Sequence, residues 1–380
     1  LFEEFRMLPL FKGALMGMAF GLVLYKVGAT RYSRVMGMLT LRDTKIMKFA
    51  FTAIAVASMG YGLAASLGVA ESVGLVPRTM PFMGAAHILG GVLFGAAMGT
   101  TGLCPGTCAA KTGGQGGDKK FMGLASLSAL VVGAVTFAFI KDGLLEQGVI
   151  AAHQKPLTLN GVLGLPYGPT ALAFGALILI VVLAVDRFTA EKTYEPSAER
   201  KSVIDHLRGE WSFAASGALA GVLVLMATMQ NGYLGFSGAL LAAVGAGAHL
   251  IGVPFSPVPV LNDDIIWRAA LIVGVLPGGL LARMLSTPSL AMKTAPLPKV
   301  LDVPALMKTF VAITAMSLGA LIGGGCTTGA FISAWPTLSL GSFAMAMTFF
   351  VTSMAVSNTR IWAKTLDLGA AQQVGDRAYD

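Results

Sequence analysis

Charge is scarce in this sequence. Charged residues occupy 12% of its 380 positions, half the ~25% of an ordinary globular chain. That is too little to clothe a water-soluble surface, so a soluble enzyme is excluded first. Cysteine is scarcer still. Three cannot all pair within one chain, which argues against a disulfide scaffold. The common catalytic signatures are missing as well. GGQGGDKK (113–120) is glycine-rich and basic but lacks the G-x-x-x-x-G-K-[ST] spacing of a phosphate loop. There is no C-x-x-C-H for covalent haem, and no G-x-S-x-G nucleophile turn followed by triad partners. No catalytic residue, metal or cofactor is implied, and the chain is read as no enzyme. The acidic Glu3 and Glu4 near the start do not fit a cleavable signal peptide.

What the sequence has is apolar length. Residues of the AVILMFWYC set make up 55%, and glycine stands at 48, a combination suited to transmembrane helices that pack through small residues. A span needs about 20 predominantly apolar residues. Nine segments are predicted to qualify, near 8–28, 49–69, 81–101, 121–140, 168–186, 211–229, 265–285, 304–323 and 338–357. Three further apolar stretches, near 33–40, 236–251 and 326–335, are too short or too broken by glycine to span. They read as re-entrant half-helices, which need surrounding protein or a water-filled cavity. The expected fold is therefore an all-α polytopic membrane protein of about nine transmembrane helices plus half-helices. The formal charge of +8 is read as basic residues gathered in cytoplasmic loops, not as a nucleic-acid surface. With the N-terminus outside and the C-terminus cytoplasmic, 21 of the 27 Lys and Arg fall inside, and the opposite orientation inverts that ratio.

The chain also resembles itself. GALMGMAFGLVLYKVG (13–28) followed by TRYSRVMGML (30–39) matches GALAGVLVLMATMQNG (217–232) followed by YLGFSGALLA (233–242). Later in each half a span runs into a glycine-rich cysteine loop, FGAAMGTTGLCPGTCAA (94–110) and LGALIGGGCTTGAF (318–331). The expected organisation is a first half (1–167), a connecting span with a charged cytoplasmic linker (168–210), a second half (211–357) and a cytoplasmic tail (358–380). An odd number of spans before the second half turns it over, giving two inverted repeats, a plan that places a transport site at their interface.

In each cysteine loop a glycine stands two residues before the cysteine, Gly102 before Cys104 and Gly324 before Cys326. A short helix beginning after each cysteine would aim free N–H groups and the positive dipole end at the thiol. Gly106, Gly325 and Gly329 would leave that backbone open, and Thr107, Thr327 and Thr328 would add hydroxyl donors. Cysteine is a soft, polarizable partner with a weak S–H donor, apt for a sulfur-containing anion. Taken singly, each cysteine also reads as a small packing residue. Cys108, one turn past Cys104, either faces the same cavity or packs, and the C-x₃-C pair lacks the further ligands a structural zinc needs. His87 and His249 read equally as functional intramembrane groups and as helix-end caps. The 20 methionines read as packing.

LFGAAMGTTGLCPGT (93–107), LGALIGGGCTTGAF (318–331), NGYLGFSGAL (231–240) and LRDTKIMKFAFTAIAVASMG (41–60) resemble the YeeE/YedE family of bacterial sulfur-transport proteins, across both halves. The resemblance implies import of thiosulfate, or a related sulfur or selenium compound, across the bacterial inner membrane. It implies passage along cysteines in an hourglass-shaped protein by S–H hydrogen bonds, with Cys104 and Cys326 in the loop cysteine roles. The family's thiosulfate importers also carry a cysteine at the first half-helix. Here residues 29–34 contain none, Ser33 and Ser237 stand at matching places, and Cys108 is extra. Expected partners are membrane lipids, the small anion, and either a membrane-protein partner or a cytoplasmic sulfur carrier. The alternative function is a non-transporting scaffold of a larger membrane complex.

Overall fold

The computed structural model describes residues 7–115, 120–150, 156–189, 208–286 and 303–376. They form an all-helical bundle: α1 (Met7–Val27), α2 (Tyr32–Leu39), α3 (Lys45–Ser66), α4 (Ala85–Thr101), α5 (Pro105–Gly114), α6 (Lys120–Glu146), α7 (Leu159–Leu163) and α8 (Tyr167–Phe188). There follow α9 (Phe213–Met229), α10 (Phe236–Leu250), α11 (Asp263–Met284), α12 (Val303–Ile322) and α13 (Leu340–Asp376). Between α12 and α13 lie a π-helical turn, Thr327–Ser333, and a 3₁₀ turn, Trp335–Thr337. Helix is the form that satisfies every backbone group within its own segment, the condition for crossing hydrocarbon. The outward faces stay apolar, Phe139 at 83% exposed and Ile180 at 63%, where water is not the expected neighbour.

The expectation of nine spans needs correcting. Among the described residues, seven helices are long and apolar enough to cross a membrane, or eight if α12 and the turn after it count as one bent span. The segment expected near 211–229 forms α9, which has 17 residues because Ser212, whose side chain accepts from Ala215 N–H, caps it and the helix begins at Phe213. The stretch expected near 326–335 continues from α12 through a 42° bend. By contrast α4 and α5 hold one course, a 30-residue run from Ala85 to Gly114, interrupted only at Gly102–Cys104. The 236–251 and 33–40 stretches are the helices α10 and α2. Most of the charged linker, 190–207, lies outside the described residues, as do Lys119, Lys293, Lys299 and Arg377. The segment expected as a tail continues α13 as far as Asp376.

Small residues set the packing. Gly13, Gly17 and Gly21 of α1 stand against the backbone of Trp267, Leu271 and Val275 of α11, so these helices run parallel. Gly217 and Gly221 of α9 meet Phe49 and Ala53 of α3, another parallel pair. A third is α4 with α13, where Gly91, Gly95 and Gly99 meet Met345, Phe349 and Ser353. Ser353 and Ser357 donate to the carbonyls of Gly95 at 3.0 Å and Gly99 at 3.1 Å, and Ser317 of α12 donates to Leu130 of α6 at 2.8 Å. Such hydroxyl bonds join helices where lipid supplies no hydrophobic drive.

Two ends of the bundle follow. At one, Trp211 N–H donates to Lys26 O at 3.0 Å and the neighbouring Glu210 pairs with Lys45. The end of α1 and the start of α3 therefore share a face, called here the Arg31 face, and these helices are antiparallel. At the other, Arg78 lies 3.9 Å from Asp264; this is the Arg78 face.

Both open questions about the histidines resolve structurally. Met83 N–H donates to His87 Nε2 at 2.9 Å, and His87 Nδ1 stands 2.9 Å from Gly323 O. A backbone N–H only donates and a carbonyl only accepts, so the ring is neutral with its proton on Nδ1. His87 clamps the start of α4 to the loop before Cys326. His249 Nε2 bonds Val258 O at 2.8 Å, closing the loop after α10.

Candidate functional site

Both cysteine loops break their helices in the same way. Gly102 has φ +63° and Gly324 φ +84°, the left-handed region where a Cβ is penalised. Each break ends with the cysteine in extended conformation, Cys104 at φ −135°, ψ 168° and Cys326 at φ −93°, ψ −175°. From each, a new helical segment starts at the next residue.

Cys104 is held by the turn it begins. Its N–H donates to Thr107 Oγ1 at 2.7 Å, and that hydroxyl stands 3.0 Å from Cys104 O and 3.4 Å from Cys104 Sγ. The single hydroxyl proton can go to either acceptor. When it goes to sulfur, the S–H remains free to point elsewhere. All three cysteines are buried free thiols.

Two cavities lie on either side of the Cys326 loop. The inner one, about 50 Å³, is lined by Gly102, Cys104 and Thr107 from the first loop and by Thr327, Thr328 and Phe331 from the second, together with Ala29, Met38, Met47 and Met98. At 10–15 Å³ per water-sized group it has room for roughly four. The second cavity, about 130 Å³, opens on the Arg78 face and is lined by Arg78, Arg268, Tyr233, Ser237, Gly324, Gly325 and Gly329. Cys326 is fully buried, with glycines turned to one cavity and threonines to the other. Tyr233 braces this septum by donating its hydroxyl to Gly329 O at 2.5 Å.

The residues named from sequence thus divide. Gly102, Cys104, Thr107, Thr327 and Thr328 border the inner cavity, and Gly325, Gly329 and Ser237 border the Arg78-face cavity. Cys108 and Cys326 are buried and line neither; Cys326 lies in the loop between the two cavities, Cys108 within α5. Gly106 faces the Phe236 ring, so its backbone is covered by an aromatic side chain and not open to a ligand. Ser33 is exposed on α2, unlike its buried counterpart Ser237. Sequence reasoning missed Arg268, Arg78 and Tyr233. The available signal was Arg268, an arginine inside the apolar run 265–285.

The Arg31 face carries a charge cluster. Glu210 pairs with Arg31 at 2.8 Å, Arg34 at 3.3 Å and Lys45 at 2.5 Å, and Arg34 also pairs with Asp43. Burial alone would raise the Glu210 carboxyl. The Lys45 hydrogen bond and the charges of Lys45, Arg31 and Arg34 outweigh it and hold the group below the ordinary carboxylate range. A depressed folded value means the cluster stabilises the fold fully above the unfolded value, about 4.3. That contribution is lost as pH falls through the lower folded value. Thermal unfolding in detergent should therefore show wild type losing more stability than Glu210→Gln between pH 5 and pH 3. Parallel pH curves would mean that Glu210 is not held in this way.

A bundle of apolar helices, broken at two buried cysteines with internal cavities beside their loops, defines a polytopic membrane protein built around an interior site. Comparison with known proteins carries this further. The model of the Sulphur transport family matches residues 32–355, and the chain belongs to that family, the YeeE/YedE family. It is also similar to the thiosulfate transporter TsuA of Spirochaeta thermophila, 22% identical over 358 residues that cover 89% of this chain and 95% of the relative.

Proposed function

We propose that this protein carries thiosulfate, or a closely related sulfur-containing anion, across the bacterial inner membrane from the Arg78 face to the Arg31 face. The observation that carries the reading is the position of the Cys326 loop between two cavities, with Cys104 at the edge of the inner one. An anion passing from one cavity to the other must go by both thiols. The inner cavity is almost wholly apolar, a poor host for a hydrated sulfate, and S–H donors with a soft sulfur favour an anion that ends in sulfur. Cys326, between the two cavities, is fully buried, and the carried anion is passed on without covalent capture.

Two inverted repeats fit the helix directions. In the first half α1 and α3 run antiparallel, and the counterpart of α3 in the second half is α11. Because α11 runs parallel to α1, the second half is the other way up. Packing partners also exchange between halves: α1 meets α11 as α9 meets α3, and α4 meets α13 as α12 meets α6. The Arg31 face, with Arg31, Arg34, Lys45 and Lys48, is taken as cytoplasmic by the positive-inside rule. The site residues proposed are Cys104, Cys326, Thr107, Thr327 and Thr328.

Uptake of radiolabelled thiosulfate into proteoliposomes tests the reading, with flux above protein-free vesicles expected. Background flux with folded protein would overturn it in favour of a scaffold role. Orientation is tested by impermeant thiol labelling of cells with cysteines introduced at Thr189 and Asn262. Asn262 should label from outside and Thr189 only after lysis; labelling of both from one side would refute the topology.

A further inference from the structure

We propose that Glu210 is the latch of an exit gate, holding α2 and its flanking turns shut over the Arg31-face side of the inner cavity. The inference rests on the transport reading, for which it supplies the step that follows the cysteines.

The walls of the inner cavity on this side come from three neighbouring stretches. Ala29 belongs to the turn between α1 and α2, Val35 and Met38 to α2, and Ile46 and Met47 to the first turn of α3. One carboxylate ties the same three together. Glu210 pairs with Arg31 of the turn at 2.8 Å, with Arg34 of α2 at 3.3 Å and with Lys45 of α3 at 2.5 Å. Its side chain is 19% exposed, so water and salt screen these pairs less than those of an open surface. Parting the walls requires breaking them.

The latch stands on a fixed base. Lys26, 1% exposed, donates from Nζ to Arg208 O at 3.2 Å, Leu285 O at 3.2 Å and Ser286 Oγ at 3.0 Å. Trp211 N–H returns a bond to Lys26 O at 3.0 Å. The strap 208–211 is thereby pinned on both sides of Glu210 to the end of α1 and, through the same lysine, to the end of α11. Glu210 stands 179 positions from Arg31 in the chain, so the latch joins the first half to the start of the second.

What the latch holds is hinged. Gly28, just before the turn, has φ +91°, and Leu41, just after α2, has φ +57°. A bulky residue in the left-handed region is an outlier, and such strain gathers at segments that switch. Leu41 is 64% exposed, so burial of its own side chain does not account for the conformation. Between the two hinges runs one short helix, with Tyr32 half exposed. It carries cavity wall at Val35 and Met38 and a latch partner at Arg34. Asp43 also pairs with Arg34 and accepts from Lys45 N–H at 2.9 Å, contacts local to the second hinge. A swing about Gly28 and Leu41 lifts Ala29, Val35 and Met38 away from α3 and opens the inner cavity toward the Arg31 face.

The test is the reactivity of Cys104, which borders the inner cavity, toward a small anionic methanethiosulfonate. Detergent-purified protein is used, and each cysteine is read separately by mass spectrometry. Wild type should react slowly. Glu210→Gln should speed modification of Cys104 about tenfold, the order expected for loss of a charge-assisted bond. Arg31→Gln, which leaves Arg34 and Lys45 to the carboxylate, should speed it about threefold. Glu210→Asp, which keeps the charge on a shorter arm, should fall between Glu210→Gln and wild type. Cys108, buried within α5 and bordering neither cavity, is the control and should keep its wild-type rate. Equal acceleration at Cys104 and Cys108 would mean a loosened bundle, and unchanged Cys104 reactivity in folded Glu210→Gln would mean that something else closes the cavity. Either result overturns the latch and leaves the transport reading standing. The expected pattern at Cys104, with no thiosulfate flux in wild-type proteoliposomes, would uphold the latch and overturn transport instead.

Discussion

Replacing either Cys104 or Cys326 with alanine is expected to lower thiosulfate uptake at least tenfold, with normal expression and an unchanged gel-filtration profile. Each substitution removes an S–H donor and a soft contact from a buried stretch of the path, where water cannot substitute. A lost hydrogen bond of this kind costs about 1–2 kcal/mol, and 1.4 kcal/mol is a factor of ten. At Cys104 the Thr107 hydroxyl loses one of its two acceptors but keeps the Cys104 carbonyl, so the turn should survive. Cys104→Ser retains a donor without the polarizable sulfur and should recover only part of the flux. The double alanine variant should fall to background, since on the proposed path one anion passes both positions. Cys108→Ala should transport within twofold of wild type, because that thiol borders neither cavity and sits within α5, not in the loop between the cavities. Wild-type flux in Cys104→Ala and Cys326→Ala would reduce both thiols to packing residues.

The second large effect belongs to a residue with no side chain. Gly324→Ala should destabilise the protein by about 1–3 kcal/mol and abolish uptake while leaving every cysteine in place. Gly324 has φ +84°, and a Cβ there would collide with the Met83 methyl and approach the Met80 methyl to 2.9 Å. Left-handed backbone costs an L-residue roughly 1–2 kcal/mol, and this is the main term, since the two methionine methyls are the far ends of flexible side chains and can turn aside. Relief of the backbone strain requires the loop to move, which displaces Cys326 and the glycines of the Arg78-face cavity together. Gly247→Ala is the control. Gly247 lies within α10 with open space where a Cβ would sit, so alanine there should be neutral or stabilise by about 0.5–1 kcal/mol. The readout is thermal unfolding in detergent alongside uptake, and equal behaviour of the two variants would contradict the role given to the break.

Much of this architecture was legible without coordinates. Apolar runs of span length prescribe helices, because a helix satisfies its own backbone wherever it lies, and glycine two residues before each cysteine marked both breaks. Boundaries set by single residues were not visible: α9 begins only at Phe213 because Ser212 caps it, which no hydropathy count registers. Facing was equally hidden. In a soluble helix polar residues mark the outer side, but here many helices are apolar all round, so periodicity cannot say which side meets the path. Cys104 and Cys108 are one turn apart, yet only Cys104 borders a cavity. Gly106 had the look of open backbone until Phe236, 130 positions later, was found over it. Ser33 and Ser237 hold equivalent places in the repeat, but the first is exposed and the second buried beside Arg268. The sequence by itself determined the helices, the two cysteine breaks and the family, since each depends on residues adjacent in the chain. Tertiary structure alone decided which thiol, serine and arginine meet a cavity, because that depends on neighbours brought together from distant parts of the chain.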